Sequence, residues 1–198
     1  MDPLTGDLLV AGLGTQGLVV ISGTEVISNV VLPWYVEDLE ADPRNGYVYA
    51  ASYYELYALR AGELVGVLGN TPDKMLVHPF SGLLYAQHDA VLTIFSGTQG
   101  LAFTDRGFDW PYDTYGDAGS DRFYMLYDWL EPGMGLQVWR GAERVARQSG
   151  LTYFTRIGSS PGGVYLYLTP AQGGAGNYLE VWREERLPYR SYLPRVDR

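Results

Sequence analysis

The sequence predicts an all-β protein, a five-bladed β-propeller with four antiparallel strands per blade and a C-terminal strand closing the first blade. Three observations lead to this prediction. A unit of about 40 residues recurs five times along the 198 residues, each copy contains short apolar or alternating runs of strand length, and no segment carries an apolar stripe at helical spacing over three turns. The 25 glycines and 11 prolines interrupt the chain too often for long helices.

The repeat is clearest in three segments that begin at Asp2, Asp42 and His78. Each reads Asp or His, Pro, two variable residues and Gly, and an apolar run follows. Two degenerate copies begin at Asp117 and Ser159. A spacing of about 40 residues is typical of propeller blades or solenoid repeats. We therefore expect one domain, residues 1–198, with repeats at about 2–41, 42–77, 78–116, 117–158 and 159–198.

Every repeat shows the same order of predicted strands. The strand after the Pro/Gly turn is predicted at Leu8 to Ala11, Tyr47 to Ala51, Leu83 to Ala86, Phe123 to Leu126 and Val164 to Leu168. A second apolar run, a short polar or glycine turn and a third short strand come next. The innermost strand stands just before a Pro/Gly turn, predicted at Val36 to Glu40, Lys74 to Val77, Tyr112 to Tyr115 and Phe154 to Ile157. Four antiparallel strands at this period indicate propeller blades.

The two ends of the chain predict closure of the ring. The first blade has no innermost strand of its own, and residues Tyr192 to Val196 remain in the matching phase at the C-terminus. Pro194 is tolerated there because the innermost strand is an edge. The alternatives are that the five units are part of a ring of six to eight blades, or that the chain is trimmed or engineered.

The pattern Asp-Pro-x-x-Gly followed by an apolar run, as at Asp2 and Asp42, resembles the repeats of the YVTN/YncE, NHL and SMP-30-like β-propeller superfamily along the whole chain. The resemblance implies a propeller architecture of the WD40-like kind. It implies little about activity, because that superfamily contains scaffolds, ligand binders, lactonases and other hydrolases.

The composition excludes several functional classes. There are 23 acidic and 14 basic residues, a net charge of −9, and Lys74 is the single lysine. Such an acidic chain lacks the basic surface that binds nucleic acid or an anionic membrane. The absence of cysteine excludes disulfides and thiol catalysis, and it leaves the compartment open, an extracytoplasmic bacterial location included. No apolar run reaches the roughly 18 residues of a membrane span, so we expect a soluble monomer.

Three motifs that could carry chemistry have simpler interpretations. Gly12 to Gly17 spells G-x-G-x-x-G, but a β-branched run and a turn follow it instead of the helix that a dinucleotide site needs. His78 is interpreted as a turn residue and His88 as a loop residue. Aspartates recur every four residues from Asp105 to Asp121, among glycines and a proline that exclude one helical face. We expect no cofactor, with a calcium or sodium ion in the channel as an alternative.

The candidate binding residues lie in loops that we expect to meet on one face, around the mouth of the channel. These loops are richer in Trp, Tyr and carboxylates than the opposite turns, and such groups together suit a sugar ring or a peptide. The predicted ligand-binding residues are Trp34, Tyr35, Asp38, Lys74, Trp110, Tyr112, Asp113, Trp129, Tyr153 and Arg195. Neighbouring loops on the same face add Tyr53, Tyr54, His88 and Asp89. The alternative is that the aromatic side chains only fill gaps between blades.

These observations lead to three hypotheses about function. The first is a non-enzymatic propeller that binds a protein, a peptide or a glycan. The second is a hydrolase of the glycosidase or lactonase kind, with a catalytic pair drawn from Asp38, Asp73, Asp113 and Asp128. The third is a module of a longer repeat protein whose function lies elsewhere.

Overall fold

The structure is a computed structural model, and it describes residues 1–12, 16–89, 91–103, 110–128, 134–151, 154–160, 165–170 and 180–183. The described residues form β-strands and turns. No helix suited by length and hydropathy to span a membrane occurs among them. Internal contacts divide the chain into two compact units, Met1–Thr104 and Asp105–Arg198.

The first unit contains three antiparallel sheets, and in each the strands are neighbours in chain order. The first sheet consists of β1 (Leu8–Ala11), β2 (Leu18–Ser22) and β3 (Glu25–Val30). The second consists of β4 (Val36–Asp42), β5 (Tyr47–Ser52), β6 (Glu55–Arg60) and β7 (Glu63–Asn70). The third consists of β8 (Lys74–Val77), β9 (Leu84–His88), β10 (Val91–Ser96) and β11 (Gln99–Phe103).

The second unit contains two antiparallel sheets with the same order of strands. One consists of β12 (Trp110–Gly116), β13 (Arg122–Asp128), β14 (Met134–Arg140) and β15 (Glu143–Leu151). The other consists of β16 (Phe154–Ser159), β17 (Tyr165–Pro170) and β18 (Glu180–Arg183).

These sheets confirm the all-β class and the predicted order of strands within a repeat. The strands predicted as innermost are β4, β8, β12 and β16, each the first strand of its sheet. Each sheet after the first begins one strand before the repeat in the sequence, because the Pro/Gly turn joins its first strand to its second. The predicted closing strand, Tyr192 to Val196, lies outside the described residues, so the closed ring of five blades stays a prediction.

The core lies between successive sheets within each unit. One cluster of buried side chains joins the first and second sheets, a second joins the second and third, and a third joins the two sheets of the second unit. The middle strands are buried on both faces, as β5 and β6 show. Their sequences are therefore continuous apolar runs, whereas the outer strand β7 alternates between exposed and half-buried residues along much of its length.

A buried acceptor closes the turn at the start of each of the first four repeats. Asp2, Asp42 and His78 accept hydrogen bonds, through Oδ1 or Nδ1, from the backbone N–H groups two and three residues later, at 2.8–3.3 Å. Asp117 Oδ1 accepts one in the same way, at 3.0 Å. His78 therefore replaces aspartate with the same geometry, as the sequence predicts. Asp2 Oδ2 also accepts from the Gly62 N–H at 3.1 Å, which ties the first sheet to the second.

The glycine of the turn motif allows one turn to pack on the next. Gly46 and Gly82 have φ angles of +73° and +71°. A Cβ atom at Gly46 would lie 2.3 Å from the Leu4 side chain, and one at Gly82 would lie 2.5 Å from Asp42 Oδ1. Both the backbone conformation and the space therefore require glycine.

A β-bulge occurs at the same place in the outer hairpin of four sheets, namely the first sheet and the three four-stranded sheets. In each of them the register shifts close to the turn that connects the last two strands, and one extra residue is left on the outer strand. The extra residues are exposed and aliphatic: Ile27, Val65, Leu101 and Val145. A bulge bends the strand and interrupts its row of backbone hydrogen-bonding groups.

The turn acceptors give a direct test of what stabilises the fold. Asp42→Ala is expected to lower the free energy of unfolding by about 1–3 kcal/mol, because it removes a buried acceptor and leaves the backbone N–H groups of Arg44 and Asn45 without their partner. Asp42→Asn keeps an oxygen and should cost less. The control is Asp38→Ala, since exposed Asp38 accepts, within the part of the chain that the structure describes, a single hydrogen bond from the N–H of its neighbour Leu39. Its cost should stay within about 0.5 kcal/mol. Equal losses in urea denaturation of the two alanine variants would contradict the assignment.

Candidate functional site

Three exposed aromatic side chains of the first unit contact one another at one end of the second sheet. Trp34 precedes β4, and Tyr53 and Tyr54 form the turn between β5 and β6. The ring centroids of Trp34 and Tyr54 are 4.6 Å apart with planes at 68°, and those of Tyr53 and Tyr54 are 4.6 Å apart with planes at 85°. Trp34 is 41% exposed and Tyr53 is 62% exposed. We call these three residues the aromatic cluster.

Hydrogen bonds made by Ser52 and Thr71 hold the Tyr53–Tyr54 turn of the aromatic cluster in place. Ser52 Oγ donates to the carbonyl oxygen of Glu55 at 2.9 Å and accepts from the Glu55 N–H at 3.1 Å. The Thr71 N–H donates to the carbonyl oxygen of Tyr54 at 3.0 Å, and the Thr71 hydroxyl donates to the carbonyl oxygen of Ser52. The backbone polar groups around this turn are therefore hydrogen-bonded to Ser52 and Thr71, and the two tyrosine rings are carried by a fixed backbone.

Exposed carboxylates lie at the N-terminal ends of β4 and β8, the first strands of the second and third sheets. Glu37 and Asp38 are the second and third residues of β4, and Asp73 immediately precedes β8. Asp73 Oδ2 accepts from the Asp89 N–H at 2.7 Å, and the Asp73 N–H donates to the carbonyl oxygen of Gln87 at 2.6 Å. Asp89 has a φ of +51°, which is uncommon for a residue other than glycine.

The predicted ligand-binding residues lie in several parts of the described structure. Trp34 belongs to the aromatic cluster, and Tyr35, Asp38 and Lys74 are exposed at the starts of β4 and β8. In the second unit Trp110 begins β12 and Tyr112 is exposed on it. Three further predicted residues, Trp129, Tyr153 and Arg195, lie outside the described residues. A ligand-binding role for any of these residues stays a prediction.

Asp113, another predicted ligand-binding residue, links two sheets of the second unit. Its side chain is only 16% exposed, and Oδ2 accepts from the Ile157 N–H of β16 at 2.9 Å. In the described residues β16 is the edge strand of its sheet, so this N–H faces away from β17 and needs another acceptor. The Arg156 guanidinium lies 3.8 Å from Asp113 Oδ1 but is 76% exposed.

Glu40, which lies two residues further along its strand than the position of Asp113, also links two first strands in the first unit, and the sequence alone did not identify it. Its carboxylate on β4 accepts from the Val77 N–H of β8. Burial raises the pKa of Glu40 above its ordinary value of 4.5, the negative charge of Asp38 raises it further, and the Val77 bond opposes both. Glu40 could have been identified only by knowing that β4 and β8, the first strands of two successive sheets, lie side by side. A single sequence does not reveal that neighbourhood.

The carboxylates of the described region do not assemble a metal site. No group of three or more His, Asp or Glu side chains within it is placed to hold an ion. The channel ion considered from the sequence stays an untested alternative.

Comparison with known proteins identifies the fold and not a family. No protein-family model and no curated protein matches the chain. The chain is similar to the solved structure of Kuenenia stuttgartiensis hydrazine synthase, with a TM-score of 0.59, 11% identity and coverage of 98% of this chain and 64% of that one. It is similar to a eukaryotic initiation factor, with a TM-score of 0.67, 15% identity and coverage of 92% and 50%. It is also similar to BBS1N in complex with ARL6DN, soaked with lead, with a TM-score of 0.59, 11% identity and coverage of 84% and 57%.

The chain therefore spans between 50% and 64% of the length of these three solved chains. At such low identity the likeness shows the fold alone, and that fold is all-β and propeller-like. Membership of the superfamily that the repeat resembles stays a prediction.

The structural role of Asp113 can be separated from a ligand-binding role by stability measurements. Asp113→Ala is expected to lower the free energy of unfolding by about 1.5–3 kcal/mol, because a charged acceptor is lost from a buried N–H. Arg156→Ala should change it by less than about 0.5 kcal/mol, because an exposed ion pair contributes little. A similar loss in both variants would show that the ion pair, and not the Ile157 hydrogen bond, links the sheets.

The raised pKa of Glu40 predicts a pH-dependent effect of Glu40→Gln. The folded-state pKa exceeds the unfolded one, so the contribution of Glu40 to stability is full below about pH 4.5 and is lost as the pH rises through the folded-state pKa. Gln keeps an acceptor for Val77 and carries no charge. The variant should therefore gain stability relative to the wild type between about pH 4 and pH 7, measured by urea denaturation at each pH. A difference that is constant with pH would contradict the prediction.

Proposed function

We propose that this protein is a non-enzymatic binding scaffold, and that the aromatic cluster and the carboxylates beside it hold a peptide segment of a partner protein. The observation that carries the proposal is that two exposed rings, Trp34 and Tyr53, both contact the exposed ring of Tyr54, and that the Tyr53–Tyr54 turn is fixed by hydrogen bonds. Large aromatic side chains on a rigid backbone gain much contact area on binding and lose little conformational freedom.

The ring geometry favours a peptide over a glycan. Sugar rings stack best on a flat aromatic face, whereas the planes within the aromatic cluster meet at 68° and 85°. Such a surface is corrugated, and the steps between its rings suit individual apolar or cationic side chains.

The charge of the surroundings favours a basic segment. Glu37, Asp38, Asp73 and Asp89 are exposed, and the chain carries a net charge of −9. A partner with Arg or Lys beside an apolar anchor would be attracted at long range and would pair with these carboxylates at the rim of the contact.

One of the comparisons supports this proposal. One similarly folded chain, BBS1N, is described in complex with the protein ARL6DN. The hydrolase hypothesis gains no such support, because the raised pKa of Glu40 is explained by burial and by Asp38, and its carboxylate is engaged by the backbone of β8.

Peptide selection tests the proposal although the partner is unidentified. A random peptide library displayed on phage would be selected against the immobilised protein, and the enriched peptides would be synthesised and titrated by fluorescence anisotropy. We expect basic peptides with an apolar anchor, and affinity reduced about tenfold or more by Trp34→Ala or Tyr54→Ala. The control is Tyr165→Ala, which removes a tyrosine that is 41% exposed and lies on β17 of the second unit.

Two results would overturn the proposal. The first is enriched peptides that bind Trp34→Ala and Tyr54→Ala as tightly as the wild type, with thermal unfolding showing that both variants are folded. The second is a glycan array that gives specific binding while no peptide is enriched. Turnover of chromogenic glycosides or lactones would instead favour the hydrolase hypothesis.

A further inference from the structure

A pocket of about 340 Å³ opens between the second and third sheets of the first unit. It lies at the same end of these sheets as the Tyr53–Tyr54 turn, because it is lined where β7 and β9 end and where β6 and β10 begin. The side chains that form its walls and its deep end are Leu56, Leu68, Ala86, Val91, Thr93 and Phe95.

The repeat explains why this space is open. Leu84 of β9 occupies the place of Val48 in β5, because each pairs with the residue just before the turn acceptor. The same alignment makes Thr93 of β10 the equivalent of Tyr57 of β6. The ring of Tyr57 is buried between the first and second sheets, whereas the short Thr93 side chain leaves the corresponding space between the second and third sheets open. The pocket is therefore the place that an aromatic ring fills in the neighbouring pair of sheets.

The chemistry of the pocket differs from the surroundings of the buried tyrosine. The Tyr57 hydroxyl donates to the Glu55 carboxylate. In the third sheet the equivalent of Glu55 is Val91, which has no acceptor. The deep end of the pocket, formed by Ala86 and Phe95, is apolar. The space therefore suits a phenyl ring better than a phenol, because a buried hydroxyl without a partner is costly.

The wall of the pocket is continuous with the aromatic cluster. Asn70, at the end of β7, lines the pocket and pairs with Glu55 across the second sheet. The N–H of the next residue, Thr71, donates to the carbonyl oxygen of Tyr54 at 3.0 Å. The pocket and the aromatic cluster are thus separated by a few residues of backbone, a span that one extended peptide can cover.

The rim of the pocket carries negative charge. His88, which stands where the second sheet has Ser52, lines the pocket, and exposed Asp89 follows it. Asp73 is also exposed, and its Oδ2 atom accepts from the Asp89 N–H at 2.7 Å. A basic side chain next to an apolar anchor would find carboxylates at this rim.

We propose that the pocket receives the phenyl ring of a phenylalanine in the partner peptide, in the place that corresponds to the Tyr57 ring. The pocket volume is at the low end of the range for binding sites, which suits one ring. An Arg or Lys beside the phenylalanine pairs with Asp73 or Asp89. As a peptide anchor the assignment rests on the proposed function, because it names the apolar side chain that the aromatic cluster's ligand buries.

Substitutions in the enriched peptides test the proposal. We expect a phenylalanine within two residues of Arg or Lys. Replacing it with alanine should reduce the affinity about tenfold or more, and replacing it with tyrosine should reduce the affinity about fivefold. The proposal is overturned if the enriched peptides lack phenylalanine, or if either replacement leaves their affinity unchanged.

A variant that fills the pocket from within is the matching test on the protein. Thr93→Phe should bind the original peptide and its alanine variant equally weakly. The control is Thr169→Phe, which adds the same ring at an exposed position of β17, and it should bind as the wild type does. Tight binding of the original peptide by folded Thr93→Phe would overturn the proposal. If Thr93→Phe does not fold, a titration of the wild-type protein decides.

That titration uses N-acetyl-phenylalanine amide and the isotope-labelled full chain, followed by NMR. We expect saturable shifts of the Leu56, Leu68 and Val91 methyl groups, and none with N-acetyl-alanine amide. Absence of these shifts overturns the anchor, and the proposed function still stands if Trp34→Ala weakens the selected peptides. Shifts at these methyl groups together with peptides insensitive to Trp34→Ala would instead support the pocket and overturn the proposed function.

Discussion

The buried acceptor at the start of each of the first four repeats is the constraint on which the rest of the structure depends. Asp2, Asp42, His78 and Asp117 each bond the backbone of the turn that follows. That turn fixes the register of a sheet's first two strands, and its glycine lets the preceding turn pack closely. One end of each of these four sheets is therefore specified by local chemistry. The opposite end is free of this requirement, and it is there that the repeats diverge, with Ser52 in one sheet and His88 in the next.

Part of the acidic character of the chain is structural. Asp2 and Asp42 accept hydrogen bonds from backbone N–H groups of turns, whereas Asp113 and Glu40 accept from N–H groups on the first strand of the next sheet. A first strand at the edge of its sheet leaves such donors unpaired on one side, and a carboxylate from a neighbouring first strand satisfies them. The surplus of negative charge therefore reflects the needs of edge strands as well as a surface available to a partner.

Local features of the sequence were sufficient to predict the local structure. The Pro/Gly turns placed the first and second strands within a few residues, and the substitution of His78 for aspartate at one turn identified its role. The contact between Trp34 and Tyr54 agrees with the expectation that their loops meet. The role of Asp113 was not predictable, because it depends on an N–H group 44 residues away. The environment of His88 was missed for the same reason, since the pocket exists only once two sheets have packed together.

The bulges near the outer hairpins have a consequence for how copies of this protein meet. An extended segment approaching an outer strand finds two short, out-of-phase rows of donors and acceptors instead of one continuous row, because Ile27, Val65, Leu101 or Val145 is inserted in its path. Exchange of strands between molecules would require both partners to reproduce the insertion. In many proteins lysine side chains on edge strands oppose pairing with another chain. This chain has a single lysine, on β8, so its outer strands are interrupted by backbone geometry and not by lysine charge.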